Sequence, residues 1–237
     1  MADVTVKTGF SPTARLTGIA LIATIALGII MALTVLQDID INLTADFVAT
    51  SAAMMEAETS LRVAAYLSIL GFALNSLVTI GLFVLLRQTS PVLALWCLCM
   101  GVTAAFMTLM GGVFTMNAAL LAGNEGLATL ADASQRTLLT SLQAATNYTA
   151  FHMGLIISSL SMAGYFWLFF KSRQIPSLLS GFGIYASLFV AIAISLRDFV
   201  PFLASNAVTG LFMVCNLIAL VALGIYLAIW RVRPITG

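Results

Sequence analysis

The groups best placed to do chemistry in this sequence are one histidine, His152, and a few charged residues at the ends of long apolar stretches. Arg62 opens the second stretch, His152 stands near the start of the fourth, and Arg197-Asp198 closes the fifth. All four fall near one membrane level, with Glu56 and Glu58 about one turn above. A ring of basic, acidic and imidazole groups over an apolar bundle would hold an anionic or amphiphilic headgroup, because a guanidinium forks onto carboxylate or phosphate oxygens. The same arginines serve equally well as interfacial anchors whose stems snorkel. His152 could act as an acid–base group. It faces away from the stripe formed by Gly154, Ser158, Ser161 and Tyr165, so its direction is left open. Deeper in the membrane, Ser68, Gly71, Asn75 and Thr79 share one helix face. Asn75 would either bond to a neighbouring helix or line a small cavity.

These residues are held by six apolar stretches, Leu16–Leu36, Val63–Leu86, Val92–Met116, Thr149–Phe170, Leu178–Leu196 and Val208–Trp230. Each is long enough to cross a hydrocarbon core of about 30 Å at about 1.5 Å per residue. Backbone groups in lipid must bond within their own helix, so the spacing predicts an all-α, polytopic transmembrane bundle of six helices. The chain is 61% hydrophobic and 8% charged, far from the roughly one-quarter charge of a soluble domain. Residues 1–237 read as one transmembrane domain, because short loops leave no room for a second. The polar residues before Leu16 read as a short tail and not as a cleaved signal.

Charge sets the expected orientation. Lys7, Arg15, Arg87, Lys171, Arg173, Arg231 and Arg233 fall on one side, and Arg62, Arg136 and Arg197 on the other. Eight of the nine acids (Asp38, Asp40, Asp46, Glu56, Glu58, Glu125, Asp132 and Asp198) join the second group, leaving Asp3 with the first. The positive-inside rule then places both termini in the cytoplasm. The outer loop 38–61 and the segment 126–145 are each expected to form an amphipathic surface helix or to extend the following membrane helix; extension is favoured for 126–145, with Asn124 as its N-cap.

Helix contacts are expected along small-residue stripes: Ala20, Thr24, Gly28 and Ala32 on the first helix, and Gly183, Ser187, Ala191 and Ser195 on the fifth. All five prolines lie at or beyond helix ends, and Gly111-Gly112 is the one place where a bend is expected. Two inner turns echo each other, Arg87-Gln88-Thr89-Ser90-Pro91 and Arg173-Gln174-Ile175-Pro176.

Several chemistries lack their residues. The apolar cores hold no Asp, Glu, Lys or Arg well inside their ends, which argues against a proton relay, a voltage sensor or an ion-coupled pump. A single histidine cannot build a multi-histidine metal site, and Cys97, Cys99 and Cys215 lie at different faces or depths, so neither a metal nor a disulfide is expected. No phosphate loop, dinucleotide fingerprint or nucleophile elbow occurs, so no cofactor and no catalytic residue are assigned. A net charge of +1 argues against a nucleic-acid partner. The expected partners are membrane lipids, other membrane proteins or a second copy of the chain.

Arg15-Leu16-Thr17-Gly18 at the first helix, the acidic outer loop, Arg62 at the second helix and Lys171-Ser172-Arg173-Gln174-Ile175-Pro176-Ser177-Leu178-Leu179 in an inner turn resemble a bacterial family of multi-pass integral membrane proteins known only as a domain of unknown function. The resemblance covers nearly the whole chain. It departs at Pro176-Ser177, where the family pattern has Pro-Arg. It implies a bacterial cytoplasmic (inner) membrane location and a bundle of six or seven helices, and it carries over no catalytic residue. Three readings follow: an accessory or scaffold subunit of a membrane assembly; a binding or permeation bundle for a small apolar or amphiphilic solute beneath the outer polar ring of Arg62, His152, Arg197 and Asp198, reaching toward Asn75; and an intramembrane lipid-modifying enzyme acting through His152.

Overall fold

A computed structural model describes residues 12–37, 39, 46–123 and 131–229. Every regular element among them is helical. In chain order these are α1 (Pro12–Ile30), continued by a π-turn (Met31–Val35), α2 (Phe47–Glu56), α3 (Glu58–Leu86), α4 (Pro91–Gly123), α5 (Ala133–Ser172), α6 (Ser177–Leu196), a 3₁₀ turn (Pro201–Ala204) and α7 (Asn206–Ile229). Six of the seven α-helices are long and apolar enough to cross a membrane, so the chain is a polytopic α-helical membrane protein. Its surface agrees: Val92 and Leu178 are 82% and 85% exposed, positions that lipid covers and water would not.

The helices begin and end where local chemistry dictates. Prolines open α1 and α4, where the missing N–H costs least. The Asp46 side chain caps α2 by accepting from the Ala49 amide at 3.0 Å. Ala57 breaks the chain at φ −115°, and α3 then starts at Glu58, ahead of the expected Val63. The early start follows from Glu58 itself, an acid in the first turn that pairs with Arg62 one turn later. α5 runs 40 residues without a break, so 133–145 extends the membrane helix as expected. Its cap is Asp132, in a reciprocal capping box with Gln135; Asn124 lies outside the described residues. Hydrogen bonds from the Ser134 hydroxyl and the Gln135 amide hold the Asp132 carboxyl below the usual carboxylate range.

The long helices form a closed ring: α1 beside α3, α3 beside α4, α4 beside α5, α5 beside α6, α6 beside α7, and α7 back against α1. α5 also touches α3 and is therefore covered from several directions. The end that carries α2 is called outer here, and the end at Arg87 and Arg173 inner. α2 lies over α4 and α5 at the outer end, burying Met54 with Leu61, Ala118, Ala119 and Ala144. The inner half holds the largest core, including Leu82, Leu86, Tyr165, Phe166, Phe169, Leu223 and Leu227.

Glycine notches bring the helices close. Gly111 and Gly112 lie within unbroken α4; side chains fill the space beside them, Asn147 against Gly111 and Ser68 against Gly112. Thr79 sits on Gly101, Cys97 on Gly164 and Phe166 on Gly183. The α6 stripe behaves as expected for Gly183, Ser187 and Ala191, which are buried, while Ser195 is exposed. Replacing Ala191, 5% exposed, with phenylalanine should therefore cost about 1–3 kcal/mol through overpacking, read as a lower melting point in detergent.

The α1 stripe is corrected. Ala20 is buried and Thr24 half-buried, but Gly28 and Ala32 are exposed. The real seam is the inner half, where Ala14, Thr17, Gly18 and Leu21 are buried. A methyl group on Gly18 would stand 2.6 Å from both the Ala228 nitrogen and the Gly224 oxygen, whereas Gly28 and Gly210 meet nothing within 4 Å. α1 and α7 thus touch at their inner halves and leave these outer positions free.

Candidate functional site

His152 organises the outer end of the α5–α6 contact. Its Nδ1 lies 2.8 Å from the Tyr148 carbonyl oxygen, one turn back on α5. A carbonyl can only accept, so Nδ1 carries the proton and Nε2 presents a lone pair. Arg197 Nη1 donates to that Nε2 at 2.9 Å. The neutral imidazole therefore relays a hydrogen bond from the end of α6 to the backbone of α5.

Aromatic rings frame this link. The Tyr148 and His152 rings are 4.1 Å apart and Phe151 meets His152 edge-on at 5.5 Å. Phe47, from α2, meets Tyr148 edge-on at 5.6 Å. The Arg197 guanidinium carbon lies 6.0 Å from the Tyr148 ring centre, at the limit of a cation–π contact. Arg197 also caps α6, where a cation complements the negative end of the helix dipole. Phe47, Tyr148, His152 and Arg197 together join α2, α5 and α6.

The direction of His152 is settled: it is 9% exposed and faces α6. Gly154, Ser161 and Tyr165, on another face of the same helix, are buried too, and Ser158 is half-buried. Both faces can be covered because α5 has neighbours on several sides.

The single ring expected at the outer end separates into two groups. Arg62 donates through Nε and Nη2 to one Glu58 oxygen, each at 2.8 Å, and the Glu58 carboxylate packs on Gly123 at the end of α4. Both side chains are 40% exposed, so this pair contributes about 0.2–1 kcal/mol. It sits between α3 and α4, while Arg197 and His152 sit between α5 and α6. Asp198 is exposed beside Arg197. Asn75 joins neither group: its Nδ2 donates to the Gly71 carbonyl of its own helix at 3.0 Å, in place of the expected bond to a neighbour. Real interhelical bonds come from α5, Ser161 to the Cys97 carbonyl at 2.7 Å and the Tyr165 hydroxyl to the Thr79 carbonyl at 3.0 Å.

Tyr148, which packs on His152, and Phe47, which packs on Tyr148, are neighbours that the sequence reading missed. The spacing of Tyr148 and His152, one helical turn, was a usable signal; the approach of Phe47 was not, because it depends on how α2 folds back. Among the described residues no carboxylate or hydroxyl bonds the imidazole, and no three His, Cys, Asp or Glu side chains converge. The geometry suits a structural clasp.

Its energetics can be tested. Arg197 uses one donor toward His152, so Arg197→Lys should cost no more than about 1 kcal/mol. His152→Phe keeps the ring but leaves a half-buried guanidinium without its acceptor, and should cost about 1–3 kcal/mol. Equal melting points for the two variants would show that the clasp carries no energy.

A family model described as a domain of unknown function (DUF4386) matches residues 16–230. No curated protein and no solved structure matches the chain.

Proposed function

The chain belongs to the DUF4386 family, a domain of unknown function, and from its packing we infer a structural role. The protein acts as an accessory or scaffold subunit of a membrane assembly in the bacterial cytoplasmic membrane, with both termini in the cytoplasm. The observation that supports this most is the filled centre of the bundle. Tyr165, Phe166, Leu168 and Phe169 are 0% exposed, and the notches at Gly101, Gly111 and Gly112 are occupied by Thr79, Asn147 and Ser68. Such a body holds its shape and offers its apolar perimeter to partners.

The outer half of α7 is the face to probe, because Leu211, Val214 and Ile218 are 53–55% exposed there. A photo-crosslinking residue at Val214, in native membranes, should trap a membrane protein in fixed stoichiometry. Adducts with lipid or solute alone would overturn the scaffold role.

A second reading, binding of a small apolar or amphiphilic solute, is favoured by one observation. Gly28 and Gly210 are exposed and meet nothing within 4 Å, which leaves open notches on the outer halves of α1 and α7 that a small apolar solute could occupy. The same crosslinker would then carry a low-mass adduct.

Orientation is checked separately. Cysteines placed at the exposed positions Gln88 and Ser134 should react with an impermeant maleimide from the cytoplasmic and external sides respectively. Reversed labelling would invert the model.

A further inference from the structure

Among the described residues the inner end carries Arg15, Arg87, Lys171 and Arg173, while all the acids lie at the outer end. Two of these cations share a groove of about 940 Å³ where α5 ends and α6 begins. Trp167 and Phe170 form one wall, their rings stacked at 6.1 Å and 21°, and Leu178 and Ser177 from α6 form the other. Lys171 and Arg173 line it and are exposed. Among the described residues neither has an acidic partner; the ion pair formed is that of Arg62 with Glu58.

The backbone builds this groove. Arg173 ends α5 in the left-handed region, at φ 53°, where a residue with a Cβ is strained. The next two residues explain why the strain persists: Gln174 and Ile175 are 4% and 1% exposed, locked into the inner core. At that turn Arg173 and Lys171 both line the groove. Pro176 then precedes α6 and supplies no side-chain cap, so among the described residues the first turn of α6 keeps amides without a side-chain cap, which add to the positive field.

We propose that this groove binds one anionic glycerophospholipid, its phosphate held by Lys171, Arg173 and the first turn of α6, and its acyl chains laid on Trp167, Phe170 and Leu178. Charge complementarity selects an anionic headgroup, and the aromatic wall at the membrane boundary selects a lipid over free phosphate. The site is distinct from the outer clasp and does not depend on the scaffold reading.

Trp167 reports on its own site. The full chain with Trp96→Phe and Trp230→Phe is placed in phosphatidylcholine nanodiscs doped with equal mole fractions of brominated phosphatidylglycerol or brominated phosphatidylcholine. Both leaflets have one composition, so orientation does not matter. Brominated phosphatidylglycerol should quench Trp167 preferentially. Lys171→Gln with Arg173→Gln should lower that preference about 30-fold, at about fivefold per cation, while Arg87→Gln leaves it unchanged. Arg173→Gly guards against misfolding: it should melt no lower than wild type, because glycine accepts the left-handed turn, yet lower the preference about fivefold. Equal quenching by both lipids, an equal loss in Arg87→Gln, or abolition of the preference by inorganic phosphate at matched ionic strength overturns the proposal.

Discussion

Tyr165→Ala should destabilise the bundle by about 3–5 kcal/mol, while Tyr165→Phe should cost only about 0.6 kcal/mol. Tyr165 is 0% exposed and belongs to the inner core shared by α1, α3, α4, α5, α6 and α7. Alanine leaves a cavity in a core that cannot collapse freely because its glycine notches already hold the helices at close range. Phenylalanine keeps the ring and removes only the hydroxyl, which donates to the Thr79 carbonyl at 3.0 Å. The carbonyl keeps its own helical bond, so the loss is small. Reversible unfolding in mixed detergent micelles measures both. If the two variants lose the same stability, the hydrogen bond and not the packing holds α3 to α5, and the account of the core is wrong.

Gly18→Leu should open the ring between α1 and α7, at a cost of about 3 kcal/mol or more. The atoms around Gly18 are the Ala228 nitrogen and Gly224 oxygen at 2.6 Å and Leu227 Cβ at 2.9 Å. These are backbone atoms or are fixed directly to the backbone, so a side chain cannot be accommodated by a rotamer change and the helices must move apart. Overpacking of yielding cores costs about 1–3 kcal/mol, and here nothing yields. Gly28→Ala is the matched control. It has nothing within 4 Å and trades glycine for a better helix former, so it should be neutral or stabilising by up to about 1 kcal/mol. Hydrogen exchange of α1 should rise in the first variant and not in the second. Equal melting of Gly18→Leu and wild type would mean that α1 does not close the ring.

The Arg15-Leu16-Thr17-Gly18 segment shows how a motif's reason can be hidden in the sequence. Thr17 fills the notch at Gly81 on α3, and Gly18 admits the backbone of α7. Two consecutive residues serve two different neighbours, which no periodicity of α1 reveals.

The sequence by itself determined the solvent and the elements. Six apolar stretches without interior proline must be helices, because lipid offers the backbone no other partner. Acids and prolines at their ends set most starts, and the unbroken run through Gln135 to Phe170 already announced the long α5. What tertiary structure alone decided is which face of each helix turns inward. A soluble helix declares its inner face by an apolar stripe; here every face is apolar, and the difference between lipid and protein as a neighbour is too small to write a pattern. The small stripe of α6 was legible because close approach needs small residues, yet the similar stripe of α1 is buried only at Ala20, since α1 meets the backbone of α7 at Gly18, off that stripe. The outer polar residues shared a depth, which counting along helices gives, but not an azimuth. Arg62 therefore pairs with Glu58 beside α4, and Arg197 with His152 beside α6, because helix order around the ring is fixed by packing and not by position along the chain.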